Sequence, residues 1–268
     1  MKTAVLTGAS GGMGRAAAAA LAREGYTVFA LDKRESESGE GIVFIRADLT
    51  DEASVTAAFE EVRSKTDGID CIVNMAGIYD LDSLVEIGEE RFVRSFNVNL
   101  FSAYRVNRIF LPLLREGGRV VITTSELAPL DPLPFTGLYA VTKAALEKYA
   151  YSLRMELQLI GRKVTVLRPG AVDTPLIGDS TRALDRFVEN TKLYSCNAER
   201  FKRIVDGVEA RRVPPEKVAR LLVKAVSAKN PRFVYTINRN PLLLLMNALP
   251  DRMQCAIIRR ILKPKKSK

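Results

Sequence analysis

A tyrosine and a lysine four residues apart, Tyr139 and Lys143, are the side chains of this sequence best suited to moving a proton. Residues at this spacing share one face of a helix, so the phenol and the ammonium lie side by side. Far upstream, Gly8, Gly12 and Gly14 form a cluster suited to a tight turn against a pyrophosphate. Together the two patterns predict hydride transfer between a nicotinamide and an alcohol or ketone, which neither pattern predicts alone.

Acid–base chemistry in this chain must use groups other than imidazole, because the sequence contains no histidine. That absence excludes histidine catalysis and histidine-ligated metals. A free tyrosine has a pKa of about 10, and an ammonium within ~4–6 Å lowers it by about 1–3 units. We therefore expect Lys143 to lower the pKa of Tyr139, so that the phenol exchanges a proton with an alcohol near neutral pH.

The cysteines Cys71, Cys196 and Cys255 lie far apart and show no metal-ligand spacing, so no metal site is predicted. Their odd number and scatter are typical of reduced thiols rather than of a disulfide framework. Residues 3–6 already resemble a buried strand and leave no room for a charged and apolar leader. We therefore expect a cytoplasmic protein.

The net charge of +10 is concentrated at the C-terminus, where residues 239–268 hold eight Lys or Arg and one Asp. The remaining chain is nearly balanced and has no basic stripe interleaved with aromatic residues, so no nucleic-acid partner is expected. The C-terminal extension is also amphipathic, with an apolar run at 242–246. It either lies on an anionic membrane surface as a peripheral contact or forms a helical hairpin that caps the substrate cleft.

Strand-like apolar runs alternate with helical patterns along the chain. The predicted strands cover residues 3–7, 27–31, 42–46, 69–74, 119–124, 163–168 and 232–237. The predicted helices cover residues 16–23, 53–65, 92–114, 138–160 and 215–227. Strands that are apolar on both faces and separated by helices indicate a parallel sheet covered on both sides. We predict a single doubly wound α/β domain of the Rossmann type over residues 1–238, with about seven strands in the order 3-2-1-4-5-6-7 and helices on both faces.

An acidic side chain, Asp32, ends the second predicted strand, 18 residues past Gly14. A carboxylate at this place accepts hydrogen bonds from the adenosine ribose hydroxyls and repels a 2′-phosphate. This favours NAD over NADP. Lys33 and Arg34 follow directly and are able to reach a phosphate, so NADP stays open.

Taken in order, these motifs resemble the compact branch of the short-chain dehydrogenase/reductase family, over nearly the whole chain. Further elements similar to the family's are Asp48-Leu49, the run 74–77, in which Met75 replaces the family's second asparagine, and the run 168–174. The resemblance implies that the cofactor-binding residues are Gly8, Ser10, Gly12, Met13, Gly14, Asp32, Asp48, Leu49, Asn74, Ala76, Gly77, Tyr139, Lys143, Pro169, Gly170, Val172 and Thr174.

The same resemblance implies that the catalytic residues are Asn99, Ser125, Tyr139 and Lys143. Tyr139 acts as the acid/base, and Lys143 also binds the nicotinamide ribose hydroxyls. Asn99, in preference to Asn97, anchors a water that links Lys143 to solvent.

The substrate-orienting serine maps to Ser125, with Thr124 as the alternative. Ser125 precedes Tyr139 by 14 residues, a residue or so more than the family's usual gap. This spacing predicts a small insertion after Ser125.

Substrate choice in this family depends on the lid segment, residues 174–212, and on the C-terminus. The apolar residues of the lid segment are Leu176, Ile177, Leu184, Phe187, Leu193, Tyr194 and Phe201. They indicate either a bulky lipophilic substrate or simple packing of the lid on the domain. A weaker local likeness to members acting on steroids, retinoids or long-chain alcohols favours a lipophilic substrate. We predict a homodimer or homotetramer that interconverts a secondary alcohol and a ketone, or a primary alcohol and an aldehyde.

Two other functions stay open at this stage. One is a non-catalytic dinucleotide-sensing or scaffold protein of the same fold, although such proteins usually lack the tyrosine or the lysine. The other is a family member acting on a polar sugar or an acyl thioester, which would require a more polar lid or a basic docking patch.

Overall fold

The computed structural model describes residues 2–35, 38–209 and 211–263, without the side chains of residues 176–180 and 208–209. Within this part of the chain, seven parallel strands form one sheet in the order β3-β2-β1-β4-β5-β6-β7, which confirms the predicted topology. The strands are β1 (Lys2–Thr7), β2 (Tyr26–Asp32), β3 (Ile42–Arg46), β4 (Ile69–Asn74), β5 (Leu114–Thr123), β6 (Lys163–Pro169) and β7 (Val234–Ile237).

Helices cover both faces of the sheet and connect its strands, except that no described helix lies between β2 and β3. They are α1 (Gly12–Arg23), α2 (Glu52–Arg63), α3 (Glu89–Phe96), α4 (Ser102–Phe110), α5 (Gly137–Leu157), α6 (Pro175–Asn190), α7 (Ser195–Glu209), α8 (Pro215–Ser227), α9 (Pro241–Asn247) and α10 (Asp251–Leu262). Among the described helices, none combines the length and the apolar character needed to cross a membrane.

The sheet has a buried layer on each face. Leu21 of α1 and Leu222 of α8 belong to the layer on one face, together with alternate residues of the strands. On the other face, Val62 of α2, Phe110 of α4 and Leu146 of α5 form the second layer. Because both faces are covered, the strands are apolar on both sides, which is the pattern that the sequence shows.

The chain order reverses at the centre of the sheet, where β1 pairs with β2 on one side and with β4 on the other. The connections that follow β1 and β4 therefore diverge to opposite faces and leave a crevice at the carboxyl ends of the strands. Thr7 and Asn74 are register partners at this edge. Most predicted site residues lie at or just after the carboxyl ends of β1 to β6, while Asn99, Tyr139 and Lys143 lie on helical segments.

The prediction of one continuous helix over residues 92–114 is wrong, because the helical segment is interrupted and ends earlier. A π-helical turn, Asn97–Phe101, separates α3 from α4, and a short 3-10 turn then leads into β5, which begins five residues earlier than predicted. The extra residue of a π turn changes the direction of the side chains around it. Asn99 is thereby buried, while Asn97 accepts a hydrogen bond from Arg105 at 2.7 Å.

Candidate active site

The glycine turn connects β1 to α1. Gly8 has a φ of +73°, and a Cβ there would lie 2.7 Å from the Ala76 nitrogen, so only glycine fits between the ends of β1 and β4. A Cβ at Gly14 would overlap the Gly8 carbonyl. Thr7 Oγ1 accepts hydrogen bonds from the backbone nitrogens of Met75, at 3.2 Å, and Ala76, at 3.4 Å. The turn is therefore a close-packed backbone cradle joined to the end of β4.

Two carboxylates mark the far side of the crevice. The Asp32 carboxylate at the end of β2 is buried and accepts hydrogen bonds from the backbone nitrogens of Ser10, at 3.1 Å, and Arg34, at 3.0 Å. These bonds fix the carboxylate beside the glycine turn. Asp48, after β3, accepts hydrogen bonds from the side chain and backbone of Thr50, which lower the pKa of Asp48.

These groups line a cleft of about 390 Å³ at the carboxyl ends of β1, β2 and β4. The predicted residues in its wall are Gly8, Ser10, Gly12, Met13, Gly14, Asp32, Asp48, Leu49, Ala76, Gly77 and Thr174. Three observations fit a dinucleotide: the glycine cradle, the absence of a side-chain cap at the start of α1, and the buried Ser10 hydroxyl, which has no hydrogen-bond partner among the described residues. Free backbone donors and an unsatisfied hydroxyl favour a polar, phosphate-bearing ligand.

The run after β6 closes the cleft against the glycine turn. A Cβ at Gly170 would overlap the Asn238 carbonyl, so glycine allows this segment to pack beneath the chain that follows β7. The Thr174 methyl carbon would lie 2.8 Å from a Cβ at Gly12. Thr174 Oγ1 donates a hydrogen bond to the Val172 carbonyl at 3.4 Å. Glycine at position 12 therefore lets the two predicted cofactor elements meet.

A second cavity of about 150 Å³ adjoins the first and contains the predicted proton-transfer residues, so we call it the catalytic pocket. Its wall includes Ser125, Tyr139 and Lys143. It also includes Pro169, Gly170, Val172 and Thr174. Because Gly77 and Thr174 border both cavities, the cleft adjoins the pocket that contains the tyrosine.

Ser125 lies immediately beyond the end of β5. Its hydroxyl is hydrogen-bonded to the Tyr139 hydroxyl and accepts a bond from the Leu127 nitrogen at 3.2 Å. The Thr124 hydroxyl instead donates to the Glu147 carboxylate at 3.2 Å. The geometry therefore favours Ser125 over Thr124 as the residue that contacts a substrate oxygen.

Tyr139 and Lys143 lie on the first turns of α5, and the Lys143 Nζ is 5.8 Å from the centre of the Tyr139 ring. The predicted pKa change of the tyrosine is wrong in direction. Burial raises the pKa of Tyr139 to about 12, opposed by the hydrogen bond from Ser125. Burial also lowers the pKa of Lys143 to about 8, and its amine donates to the Thr123 carbonyl at 3.1 Å. Exclusion of water is the largest cause of both pKa changes, which the sequence spacing could not reveal.

Two predicted site residues lie behind the cleft wall. The Asn99 side chain accepts a bond from the Ile78 nitrogen at 2.7 Å and donates to the Ile78 carbonyl and to Thr142 Oγ1, each at 3.0 Å. Asn74 donates to the Asn107 side chain at 2.8 Å. These bonds hold the segment after β4 and the start of α5 in position, and so fix the wall that carries Gly77 and Lys143.

A third cavity of about 90 Å³ opens beyond the catalytic pocket, and we call it the apolar pocket. Tyr79, Leu127 and Leu243 border both cavities. The remaining apolar side chains of the apolar pocket are Leu130, Pro132, Leu133, Ala140, Phe201, Ile204, Val205 and Met246. Leu127, Leu130 and Leu133 belong to the loop between Ser125 and Tyr139, where the spacing predicts an insertion.

The C-terminal extension contributes one wall of the apolar pocket. This extension consists of α9 and α10, and Leu243 and Met246 of α9 border the cavity. Asp131 accepts hydrogen bonds from Asn247, at 3.0 Å, and Gln254, at 3.4 Å, which hold the extension over the loop after Ser125. Of the two positions predicted for the extension, these contacts match the one over the cleft. Residues 264–268 lie outside the described part of the chain.

The lid segment consists of α6 and α7, and most of its apolar residues pack within the protein. Leu184, Phe187 and Phe201 are buried in a cluster that also contains Leu262 of α10. Phe201 alone among these three also lines the apolar pocket, while Leu193 is exposed. The side chains of Leu176 and Ile177, which the sequence placed in the lid, lie outside the described part of the structure.

Tyr79 and Glu126 are pocket residues that the sequence analysis missed. The Tyr79 ring packs on the Tyr139 ring at 4.5 Å between centres. Glu126 follows Ser125 in the wall of the catalytic pocket. The sequence offered only their positions as a sign that they belong to the site: Tyr79 lies two residues after Gly77, and Glu126 directly follows Ser125.

The comparison with protein families supports this geometry. A family model described as short chain dehydrogenase matches residues 2–185. The chain belongs to this family. Short chain dehydrogenases use NAD(P), and this chain is an NAD(P)-dependent dehydrogenase or reductase.

Curated relatives match nearly the full length of this short chain dehydrogenase. It is 27% identical over 255 residues to a 3-ketodihydrosphingosine reductase of Bacteroides thetaiotaomicron, which covers 93% of each chain. It is 29% identical over 256 residues to estradiol 17-beta-dehydrogenase 2 of Mus musculus, covering 87% of this chain and 67% of the mouse protein.

Solved structures show the same fold. An alcohol dehydrogenase from Thermococcus sibiricus, solved in complex with 5-hydroxy-NADP, is 28% identical and matches with a TM-score of 0.70. That match covers 88% of this chain and 96% of the other. A 3-ketoacyl-(acyl-carrier-protein) reductase from Brucella melitensis, solved with NADH, is 23% identical with a TM-score of 0.73 and shows the fold alone.

Proposed function

We propose that this chain interconverts a ketone and a secondary alcohol on a lipophilic substrate, with Tyr139 as the acid/base. The observation that carries the proposal is the continuity of the cavities. The pocket that contains Ser125 and Tyr139 opens directly into the apolar pocket, with Leu127 and Leu243 bordering both. A substrate oxygen beside the two hydroxyls therefore leaves the rest of the molecule against hydrocarbon.

When bound, a nicotinamide dinucleotide supplies or accepts the hydride at the carbonyl carbon. Because its pKa is raised to about 12, the Tyr139 phenol keeps its proton at neutral pH and is able to give it to a developing alkoxide. Ser125, hydrogen-bonded to Tyr139, orients the same oxygen and stabilises its charge. In the opposite direction Tyr139 must first lose its proton, so these residues favour ketone reduction at neutral pH.

In this proposal, Lys143 lies at the end of the catalytic pocket that binds the cofactor. Its amine lies between the Thr123 carbonyl, at 3.1 Å, and Gly77, where a Cβ would lie 3.3 Å from Nζ. The lack of a side chain at Gly77 leaves the amine access to the cleft. Lys143 is thus placed to bind ribose hydroxyls, and Asn99 holds the wall behind it rather than lining the cleft.

We propose that NAD is preferred over NADP, with Asp32 as the deciding residue. The two backbone nitrogens that bind its carboxylate fix a negative charge where a 2′-phosphate would be repelled. Asp32→Ala should weaken NADH binding more than NADPH binding, measured by the fluorescence of the reduced nicotinamide on titration. Equal losses for the two cofactors would contradict this role.

Two relatives support a lipophilic substrate by name, since one is a 3-ketodihydrosphingosine reductase and the other an estradiol dehydrogenase. The direct test measures turnover, with NADH and with NADPH, of long-chain ketones, a steroid ketone and an aldose, all at comparable concentrations. We expect the long-chain and steroid ketones to be reduced at higher kcat/KM than the aldose. Preference for the aldose would contradict the lipophilic assignment, and cofactor binding without turnover on any ketone would favour a dinucleotide sensor.

We also propose that the chain forms a homodimer or homotetramer through the outer face of α4 and α5. Tyr104, Tyr151 and Met155 expose 45%, 55% and 48% of their surface on these helices, where a second copy would cover them. Light scattering should give a multiple of the 29.6 kDa chain mass, reduced by Met155→Arg. A monomeric wild type would refute the assignment.

We propose that residues 239–268 act as an extension that closes the substrate end of the catalytic domain. Leu242 and Leu245 of α9, each 63% exposed, also offer a peripheral contact for an anionic membrane, to which the basic residues of α10 would be attracted. Co-sedimentation with anionic vesicles should decrease in Leu242→Asp. Equal sedimentation with neutral and anionic vesicles, or none, would limit the extension to its capping role.

A further inference from the structure

Glu126 is an acidic side chain in the wall of the catalytic pocket, directly after Ser125. Its backbone nitrogen donates to the Pro169 carbonyl at 2.9 Å, which aligns the residue with the end of β6. One carboxylate oxygen accepts a hydrogen bond from the Asn240 nitrogen at 2.6 Å. The other lies 2.8 Å from the place that a Cβ would take at Gly170. The carboxylate thus lies where the end of β6, the start of α9 and the pocket meet.

Glu126 takes part in no ion pair with a cation of the described residues. The one described hydrogen bond to its carboxylate comes from a neutral backbone nitrogen, although the charge of Arg239 also attracts it. Burial raises the pKa of Glu126. By contrast, Glu147 behind the pocket is paired with Arg168, whose Nε lies 2.7 Å from the carboxylate. A carboxylate withdrawn from water costs free energy unless a cation or several donors accompany it.

The reacting groups are close to this charge. Glu126 follows Ser125 in the chain, and its negative charge raises the pKa of Tyr139 further. A ketone whose oxygen contacts Ser125 and Tyr139 therefore brings its neighbouring substituents within reach of the Glu126 carboxylate. On the far side, the apolar pocket accepts hydrocarbon past Leu243.

We infer that Glu126 is a specificity-determining residue that selects lipophilic ketones and alcohols carrying a positively charged amino group close to the reacting carbon. The inference rests on the proposed function and names its substrate class. The ammonium supplies the missing partner of the Glu126 carboxylate, and the hydrocarbon arm occupies the apolar pocket. Lipophilic ketones with a carboxylate at the same place are disfavoured by like charge.

The simpler role for Glu126 is to hold the start of α9 through Asn240. Glu126→Gln separates the two roles, because the amide oxygen still accepts a hydrogen bond from the Asn240 nitrogen while the charge is lost. Glu116→Gln is the matched control, since Glu116 is an exposed residue near the start of β5, at the opposite end of that strand from Ser125.

The experiment compares two long-chain ketones, one with a dimethylamino group on the carbon next to the carbonyl and one with a methoxy group in its place. We expect the wild type to prefer the amine in kcat/KM, and Glu126→Gln to reduce that preference roughly ten- to hundred-fold, as for a hydrogen-bonded charge. Glu116→Gln should keep the wild-type ratio. A wild type with no preference, or an equal ratio in Glu126→Gln, would overturn the inference and leave the simpler anchoring role.

A binding measurement separates this inference from the proposed function. Calorimetric titration with decylamine and decanol should show tighter binding of the amine by the wild type and near-equal binding by Glu126→Gln. If neither ketone is reduced but the amine preference persists, the proposed reaction fails and the Glu126 inference stands. If both ketones are reduced without discrimination, the reaction stands and the inference fails. A wild type without a preference for the amine overturns the inference even if the variant does not fold.

Discussion

Leu243, together with Tyr79 and Leu127, borders the passage from the catalytic pocket into the apolar pocket. Leu243→Trp should block this passage. The apolar pocket has a volume of about 90 Å³. It accommodates roughly three methylene groups if each takes up ~30 Å³, the volume of one water molecule in the liquid. At ~0.8 kcal/mol for each buried methylene, the lost contact amounts to about 2.4 kcal/mol, or roughly 60-fold in kcat/KM.

The assay is ketone reduction over a homologous series of chain lengths, followed by the loss of nicotinamide absorbance. In the wild type, kcat/KM should rise about four-fold with each added carbon until the apolar pocket is full. Leu243→Trp should abolish this rise, so that the ratio of long-chain to short-chain kcat/KM falls roughly 60-fold. Leu242→Trp is the control, because its side chain is 63% exposed on the same helix. An unchanged ratio in Leu243→Trp, or an equal fall in Leu242→Trp, would refute the reasoning.

Gly8→Ala should lower the free energy of unfolding in urea by more than about 3 kcal/mol, because a Cβ combines the cost of a positive φ with a backbone clash at 2.7 Å. Gly25 has a similar φ of +80° but open space around the Cβ, so Gly25→Ala should lower the free energy of unfolding by only about 1–2 kcal/mol. Equal losses in the two variants would contradict this account of the glycine turn. The stability of the wild type relative to Lys143→Met should rise as the pH increases from about 8 towards the ordinary lysine pKa of about 10.4. In that pH range the unfolded chain binds a proton at Lys143 that the folded chain has lost. If the difference in free energy of unfolding between the wild type and Lys143→Met does not change with pH, Lys143 is not buried as described.

Much of the fold could be predicted because its signals are local. The inner strands of the sheet are short runs of apolar residues that are buried on both faces, and most strands are followed by a helical pattern. The glycine turn could also be located, because Gly8 occupies a backbone conformation and a space that other residues do not fit. The ordered series of motifs from Gly8 to Thr174 then indicated the family, which the family model confirms.

The parts that could not be predicted depend on contacts between distant segments. The π turn around Asn99 places one extra residue in a run whose apolar pattern is that of an ordinary helix. The pKa of Tyr139 depends on how completely the surrounding loops exclude water, and the spacing of Tyr139 and Lys143 carries no information about that. The basic extension had two physically reasonable positions in the sequence. The bonds from Asn247 and Gln254 to Asp131, and the place of Leu243 and Met246 in the pocket wall, match the position over the cleft.

The central claim is that the Tyr139 hydroxyl transfers the proton at the reacting oxygen. Tyr139→Phe removes this hydroxyl and leaves the ring that packs on Tyr79, so the variant should fold and bind the reduced nicotinamide cofactor with nearly unchanged affinity. The most direct measurement is single-turnover reduction of a long-chain ketone by the wild type and by this variant, at saturating cofactor. We predict a loss of at least about 10²–10⁴-fold in the variant, the range of general acid catalysis. Retention of the wild-type rate would contradict the account.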